Sequence, residues 1–396
     1  MNSTARFELF AATAPGLESI TAGELKTLGI RGRQQPGGVA FDGDFDRLYQ
    51  TNLWLRTASR VVVRLANFHA STFYELERRA KKINWSEFLP ETGSVAVRVT
   101  CRKSRLYHSD AVAERVLTAI AKVAPPGVKL EVGNSDDVED EEVDRAPQLF
   151  VVRIVDDQCE ISADASGELL HRRGYRLETA KAPLRETLAA AMVLASGWKS
   201  NQPLVDPMCG SGTIPIEAAL IARGIAPGLN RQFQFMNWKS FDRRLWAEIH
   251  GKAKESAASP ALRIRGSDRD SGAIEAALRN AERAGVARDV QFSTESVSGA
   301  FAALEDVADG EGWIITNPPY GVRVGDSADL RNLYATLGKS LRAKPGWRIG
   351  VLAAEEMLAD QIRLPMRSRF DTRNGGIPVR YLVSEKADHG TIPAVR

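Results

Sequence analysis

The sequence predicts an α/β protein. Its C-terminal half reads as a mostly parallel, doubly wound sheet, and smaller α+β units precede it. Two observations carry this. In the last half, short apolar runs alternate with helical patterns: "PLVDPM" then "IPIEAALIARG", "LRIRGSD" then "SGAIEAALRNAERAG", "WIITNPPYG" then "LRNLYATLGKSLRA", and finally "WRIGVLAA". Such a β-α series builds a parallel sheet with helices on both faces, and ligands of such sheets sit outside the carboxyl ends of the strands. The first half lacks that alternation and mixes strand and helix signals in short units.

Taken in order, strand candidates in the first half are "RFELFAATA", "GGVAFDG", "SRVVVRLANF", "SVAVRVTC", "LFVVRIVDD" and "QCEISADAS". Helical patterns "GLESITAGELKTLG", "YELERRAKKI" and "SDAVAERVLTAIAKV" lie among them. No internal repeat is visible, and "GELLHRRGYRLETAKAP", residues 167–183, reads as the joint between the halves. In the second half, Gly285 after the Ala-rich run supplies a helix stop.

At 396 residues the chain is too long for one ordinary domain, and two or three are expected. Hydrophobic content of 43% and charged content of 26% are those of a soluble globular protein, with no run long enough to span a bilayer. The start, "MNSTARFELF", lacks the pattern of a signal peptide. Cys101, Cys159 and Cys209 form no CxxC pair, which disfavours a disulfide framework or zinc site and fits a reducing cytoplasm. Five histidines without HxH or HxxxH spacing give metal chemistry little support. The net charge of +3 conceals an acidic block, Glu131 to Arg145, with eight acids and one Arg. That block reads as a solvated loop, and the rest carries 52 basic against 42 acidic residues. A mildly basic remainder is compatible with a nucleic-acid partner.

The chemistry-bearing residues fall at four successive strand ends. "DPMCGSGT", Asp206 to Thr213, is a Gly-rich strand-to-helix turn in which Gly210 and Gly212 leave room for a ligand against backbone. No Lys follows, so the phosphate-cradling GxxxxGK[ST] is absent. Asp206 suits a cationic amine, and the structural alternative is a tight helix-capping turn. Asp268 in "GSDRD" is placed to accept from ribose hydroxyls, and Glu295 in "FSTES" to meet an adenine amine. "NPPY", Asn317 to Tyr320, closes the fourth strand. An exocyclic amine or amide is a poor nucleophile because its lone pair is delocalised. Acceptors at the Asn317 side chain and the Pro318 carbonyl favour its pyramidal form, and the Pro318–Pro319 pair fixes the carbonyl direction. Tyr320 offers a ring for a flipped base. Together the four ends resemble class I S-adenosylmethionine-dependent methyltransferases that alkylate nitrogen. Cys209 lies inside the cofactor loop and reads as a buried small residue rather than a nucleophile.

The motif alone does not choose among adenine-N6 in DNA, guanine-N2 in RNA and glutamine in protein. A closer resemblance does. "ELFAATAPGLESITAGELKTLGI", "INWSEF", "ISADASGELLHRRGYR", "KAPLRETLAAAMVLASGW", "DPMCGSGTIPIEAALIARGIAPG" and "TNPPYGVRVG" are similar to the RlmL-type family of THUMP-domain large-subunit rRNA guanine-N2 methyltransferases. The resemblance implies a ferredoxin-like domain over 1–65 and a THUMP RNA-binding domain over 66–166. A linker over 167–183 and a Rossmann-like class I methyltransferase domain over 184–396 follow. It implies S-adenosyl-L-methionine as cofactor, held by Asp206, Pro207, Met208, Cys209, Gly210, Gly212, Thr213, Asp268, Glu295 and Asn317. Catalysis then falls to Asn317, Pro318, Pro319 and Tyr320, and the partner is RNA, ribosomal or transfer, with no membrane and no metal. Glu295 stands where Asp is expected. No second methyltransferase domain follows before Arg396, so one methylation activity is the expectation.

Basic-aromatic stretches are candidate RNA contacts: Lys103 and Arg105 in "KSRLYHS", and His171, Arg172, Arg173 and Arg176 in "LHRRGYR". For the second, a solvated linker is the competing reading. "RQFQFMNWKSFDRRLW", Arg231 to Trp246, either walls the base pocket or packs its rings over the sheet. Rival functions are a tRNA guanine-N2 enzyme, a DNA adenine-N6 enzyme, and an inactive assembly factor, whose damaged motifs this chain does not show.

Overall fold

The computed structural model describes residues 6–133, 147–178, 184–258, 261–302, 311–319 and 327–385. Tyr320 and most of the acidic block lie outside them. The described residues form two compact units, of which the first comprises 6–13, 21–133, 147–170 and 228–253.

Unit one is organised by a single eight-stranded sheet. Its strands are β1 (Phe7–Thr13), β2 (Arg33–Gln35), β3 (Gly38–Gly43), β4 (Ala58–His69), β5 (Ser94–Arg102), β6 (Lys129–Val132), β7 (Gln148–Val155) and β8 (Gln158–Asp164). The order is β2-β3-β1-β4-β8-β7-β5-β6. Strand β4, twelve residues long and rich in Val, pairs antiparallel with β1 on one edge and with β8 on the other. The pieces expected at 1–65 and 66–166 therefore share one continuous sheet. Helices Phe45–Trp54, Phe73–Ala80 and Ser109–Ala121 accompany it.

The second-half segment 228–253, which the sequence expectation leaves in the 184–396 domain, belongs to unit one. Its rings explain why. Phe235 is fully buried and stacks on Tyr49 at 4.5 Å, and it packs against Phe233, Phe241 and Trp246. Trp238 meets Phe88 edge-on at 5.0 Å, and the Asp242 amide donates to Tyr49 Oη at 3.0 Å. Aromatic pairs of this kind add to a large burial term. The expectation that these rings wall a base pocket or cover the methyltransferase sheet is thus corrected: they complete the core of unit one.

Unit two (14–20, 171–178, 184–227, 254–258, 261–302, 311–319 and 327–385) holds the other sheet. It contains β9 (Leu204–Asp206), β10 (Ile264–Asp268), β11 (Val290–Thr294), β12 (Gly312–Thr316), β13 (Trp347–Ala353), β14 (Met366–Asn374) and β15 (Ile377–Ser384), in the order β11-β10-β9-β12-β13-β15-β14. Strands β9 to β13 pair in parallel, and β15 runs antiparallel between β13 and β14. Every residue of β12 is buried, as a central parallel strand requires. Alternation splits it between two cores. Trp313 and Ile315 face a cluster with Met192 and Ile216, whereas Ile314 faces Tyr334 and Leu337. The strand order reverses between β9 and β12, which sets the switch point where ligands of such sheets bind. The hairpin β14–β15 was not read from the sequence. Among the described residues no helix is long and apolar enough to cross a membrane.

Replacing Phe235 by Ala is expected to destabilise unit one by about 3–5 kcal/mol. Denaturant unfolding followed by Trp fluorescence measures it, and a loss below about 1 kcal/mol contradicts the assignment of this ring to the core.

Candidate active site

All the strand-end residues lie in unit two. Asp206 ends β9 and Thr316 ends the neighbouring β12. Thr316 Oγ1 donates to Asp206 Oδ1 at 2.6 Å, and the Met208 amide donates to the same oxygen at 3.2 Å. The Asp206 residue is 1% exposed. Burial pushes its carboxyl up to about 7; the two hydrogen bonds oppose this, and the Asp268 charge adds to it. Thr316 was missed in the sequence because a Thr at the end of an apolar strand has no motif of its own. Its partner is 110 residues away.

The turn that follows Asp206 is tied to β10. The Cys209 amide donates to Ser267 O at 2.9 Å, and the Gly210 amide to Asp268 Oδ2 at 2.9 Å. Asn280, fully buried on helix Ser271–Arg283, donates to Ser211 O at 3.1 Å. The two glycines serve different ends. Gly210 (φ +53°) turns its amide onto the acid. At Gly212 (φ +84°) an added Cβ would lie 2.9 Å from Ala277 Cβ and 3.0 Å from Phe292 Cζ. The reading of Gly212 as room for a ligand is corrected: the space is needed for helix-to-strand packing. Thr213, also buried, then begins helix Thr213–Ala222. Burial drives the Cys209 thiol well above its ordinary range, with Asp206 and Asp268 adding to the effect, which disfavours a thiolate there.

Asp268 is half-buried at the end of β10, and its Oδ1 takes the Asp270 amide at 3.1 Å. Each oxygen thus has one internal donor and a remaining lone pair. Glu295 follows β11, half-buried, with its amide on Asp268 O at 2.9 Å. At the end of β12 the Asn317 Oδ1 is buried and, among the described residues, accepts no hydrogen bond. Leaving such an acceptor unpaired costs about 1–3 kcal/mol and calls for an explanation. Pro318 is buried and Pro319 half-buried beside it.

The basic run after residue 170 does not present a row of cations. Arg173 is 4% exposed and pairs with Glu217 at 3.5 Å, and Tyr175 Oη donates to the same carboxylate at 3.1 Å. Arg176 holds Glu186 through two bonds of 2.9 and 3.0 Å and donates to Leu184 O. His171 is buried, and burial together with the surrounding arginines lowers it to about 3, so it is neutral at physiological pH. For His171, Arg173 and Arg176 the expected RNA contact gives way to an internal role. Arg172 is half-buried. In unit one, Lys103 (φ +48°) and Arg105 stay on the surface; the Arg105 amide donates to Asp157 at 2.7 Å.

A seven-stranded sheet of this order, with a Gly-rich turn after its first strand and acids after the next two, defines a class I methyltransferase fold. Comparison with known proteins gives the family. Residues 173–382 match the RMKL-like methyltransferase domain, 8–62 the RlmL ferredoxin-like domain and 70–164 the THUMP domain. The chain is 36% identical to "Putative RNA methyltransferase YpsC" of Bacillus subtilis over 95% of each chain. It is also 36% identical to "Ribosomal RNA large subunit methyltransferase K/L" of Syntrophotalea carbinolica, over 94% of this chain but 53% of that enzyme's length. Among solved structures it superposes on "SMU.472, a putative methyltransferase complexed with SAH" with a TM-score of 0.85 at 28% identity, over 98% of this chain and 100% of that one. It superposes on "a predicted N6-adenine-specific DNA methylase" from Listeria monocytogenes with a TM-score of 0.83 at 33% identity, over 95% and 96%. The chain belongs to the RMKL-like methyltransferases that carry an RlmL-type ferredoxin-like domain and a THUMP domain.

The raised carboxyl of Asp206 has a measurable sign. Its penalty on folding is absent below its ordinary value of 3.8, grows as pH rises to about 7, and is constant above. The full rise corresponds to about 4 kcal/mol as an upper bound. Asp206→Asn is therefore expected to melt above wild type at pH 8, with the difference vanishing towards pH 4. A difference independent of pH contradicts this.

Proposed function

We propose that the protein transfers a methyl group from S-adenosylmethionine to the exocyclic N2 amine of a guanine in RNA, with large-subunit ribosomal RNA as substrate. The observation that carries this reading is the unpartnered, buried Oδ1 of Asn317 at the sheet's switch point. A flat amine needs an acceptor of this kind, and no described residue satisfies it.

The residues present fit the cofactor. Asp268 retains acceptor capacity at the end of β10, where a ribose diol is bound in such folds. The Gly210 amide fixes the turn against that acid, and Glu295 stands at the next strand end. Asp206 braces the turn through Met208 and Thr316. When bound, S-adenosylmethionine supplies an electrophilic methyl group on sulfur.

The chain's own residues prepare the nucleophile. The Asn317 oxygen and the Pro318 carbonyl accept the two hydrogens of the base amine and favour its pyramidal form. Pro319 contributes no amide donor and limits backbone rotation. Tyr320 is assigned the face of the base on sequence grounds, as it lies outside the described residues. Holding the amine in line with the methyl group supplies much of the acceleration. No strong base is needed, because the alkylated nitrogen loses its proton readily.

The choice of RNA is supported by the THUMP match at 70–164 and by the RNA methyltransferase names of relatives that align along nearly the whole of this chain. Guanine-N2 rests on the resemblance of the motifs. We assign 1–65 and 66–166 to RNA holding, 167–183 to the linker and 184–396 to catalysis, with 228–253 contributing to the first unit's core. Free cysteines fit a cytoplasmic site of action. Adenine-N6 is the second reading, favoured by the description of the similar Listeria protein as a predicted N6-adenine-specific DNA methylase.

Labelled methyl groups from the cofactor are expected to enter RNA from a deletion strain and not wild-type RNA. Nucleoside digestion is expected to yield N2-methylguanosine. Label recovered as N6-methyladenine in DNA, or in no nucleic acid, contradicts the proposal.

A further inference from the structure

Unit one contains a cavity of about 720 Å³, lined wholly by its own residues. One side comes from the loop before β5 and the loop before β6. The other comes from the 236–243 stretch of the inserted segment. Neither the strand-end site nor the motifs of the sequence account for it.

Its charge is one-sided. Lys129, Lys239 and Arg243 line it, against a single carboxylate, Glu91. All three cations are exposed, and none makes an ion pair with a described residue. Exposed basic residues elsewhere in the unit occur in both states: Arg33, Lys81 and Arg115 have acidic partners, whereas Lys26, Lys82 and Lys122 make no ion pair with a described residue. What sets this place apart is the convergence of three cations on one concavity. The backbone is open to close approach as well. Gly93 (φ +107°) and Gly127 (φ +90°) border the cavity, and a Cβ on either would meet nothing within 4 Å.

The wall is tied to the rest of unit one by hydrogen bonds. Trp238 Nε1 donates to Gln148 Oε1 at 2.5 Å, its backbone pairs with Pro90, and Ser240 Oγ donates to Glu87 O at 3.0 Å. A concave surface with three cations against one carboxylate suits a chain of phosphates better than a neutral or apolar molecule.

We propose that this cavity seats the sugar-phosphate backbone of the RNA substrate, with Lys129, Lys239 and Arg243 each neutralising a phosphate. The proposal rests on the reading of RNA as substrate. It gives the inserted segment two roles, since its rings fill the core of unit one while its polar edge supplies two of the three cations. Phosphate contacts of this kind set register and affinity without reading sequence.

The test compares full-length wild type with the triple variant Lys129→Ala, Lys239→Ala, Arg243→Ala. A control triple, Lys26→Ala, Lys82→Ala, Lys122→Ala, removes the same charge from exposed positions of the same unit outside the cavity. Binding of deproteinised large-subunit RNA is measured against salt. Each phosphate contact contributes about 0.7–0.9 to the slope of log affinity on log salt. The cavity triple is therefore expected to lose about 2 from that slope and at least tenfold in affinity at moderate salt, with its melting temperature unchanged. The control triple is expected to bind within about threefold of wild type. Equal losses in the two triples, or none in the cavity triple, would overturn the seat. So would release of the RNA by micromolar inorganic phosphate, which marks a small-anion site. Wild type that binds no RNA at all would instead overturn the substrate reading, and the seat with it.

Discussion

A hydrogen bond of 2.6 Å between Thr316 and Asp206 joins the ends of β9 and β12, where the strand order of the catalytic sheet reverses. Much else in the site follows from that junction. Asp206 is held in a dry position that raises its proton affinity, and the same oxygen takes the Met208 amide at the start of the Gly-rich turn. The turn then reaches across to Asp268 through Gly210. One residue beyond Thr316, the chain presents Asn317 with a buried acceptor that nothing among the described residues uses. An orphaned acceptor beside a rigid Pro-Pro step creates a demand for a donor, and a base amine is a donor of the right shape.

The packing around the junction explains its rigidity. Strand β12 is buried on both faces, with Trp313 and Ile315 in one core and Ile314 in the other. Arg348 lies over the Trp313 ring at 4.2 Å. Arg173, Tyr175 and Glu217 form a buried group, and Arg176 clamps Glu186. Their cations are engaged with internal carboxylates, which is why a basic-aromatic run that looked like an RNA surface reads differently once burial is known. Removing one partner of such a buried pair leaves an uncompensated charge, so these arginines act on stability before anything else.

Legibility in the sequence followed range. The β-α alternation, the acids at strand ends and the Asn-Pro-Pro step are local patterns, and the fold class could be read from them directly. What the sequence hid depends on distant partners. Thr316 has no meaning without Asp206, and Gly212 looks like ligand space until Ala277 and Phe292 are seen beside it. The aromatic segment 228–253 is contiguous with catalytic strands in the chain, yet it packs on Tyr49 and Phe88. The β14–β15 hairpin, where charged residues interrupt the apolar pattern, gave too weak a periodic signal to be read.

The central claim is that the Asn317 oxygen accepts a hydrogen from the reacting amine. Single-turnover methyl transfer by Asn317→Ala, at saturating RNA and cofactor, tests it most directly. The account gives a rate lower by about 10²–10³, the loss typical of one aligned polar contact in a transition state, with RNA affinity within about twofold of wild type. A variant that transfers within about threefold of the wild-type rate would contradict it.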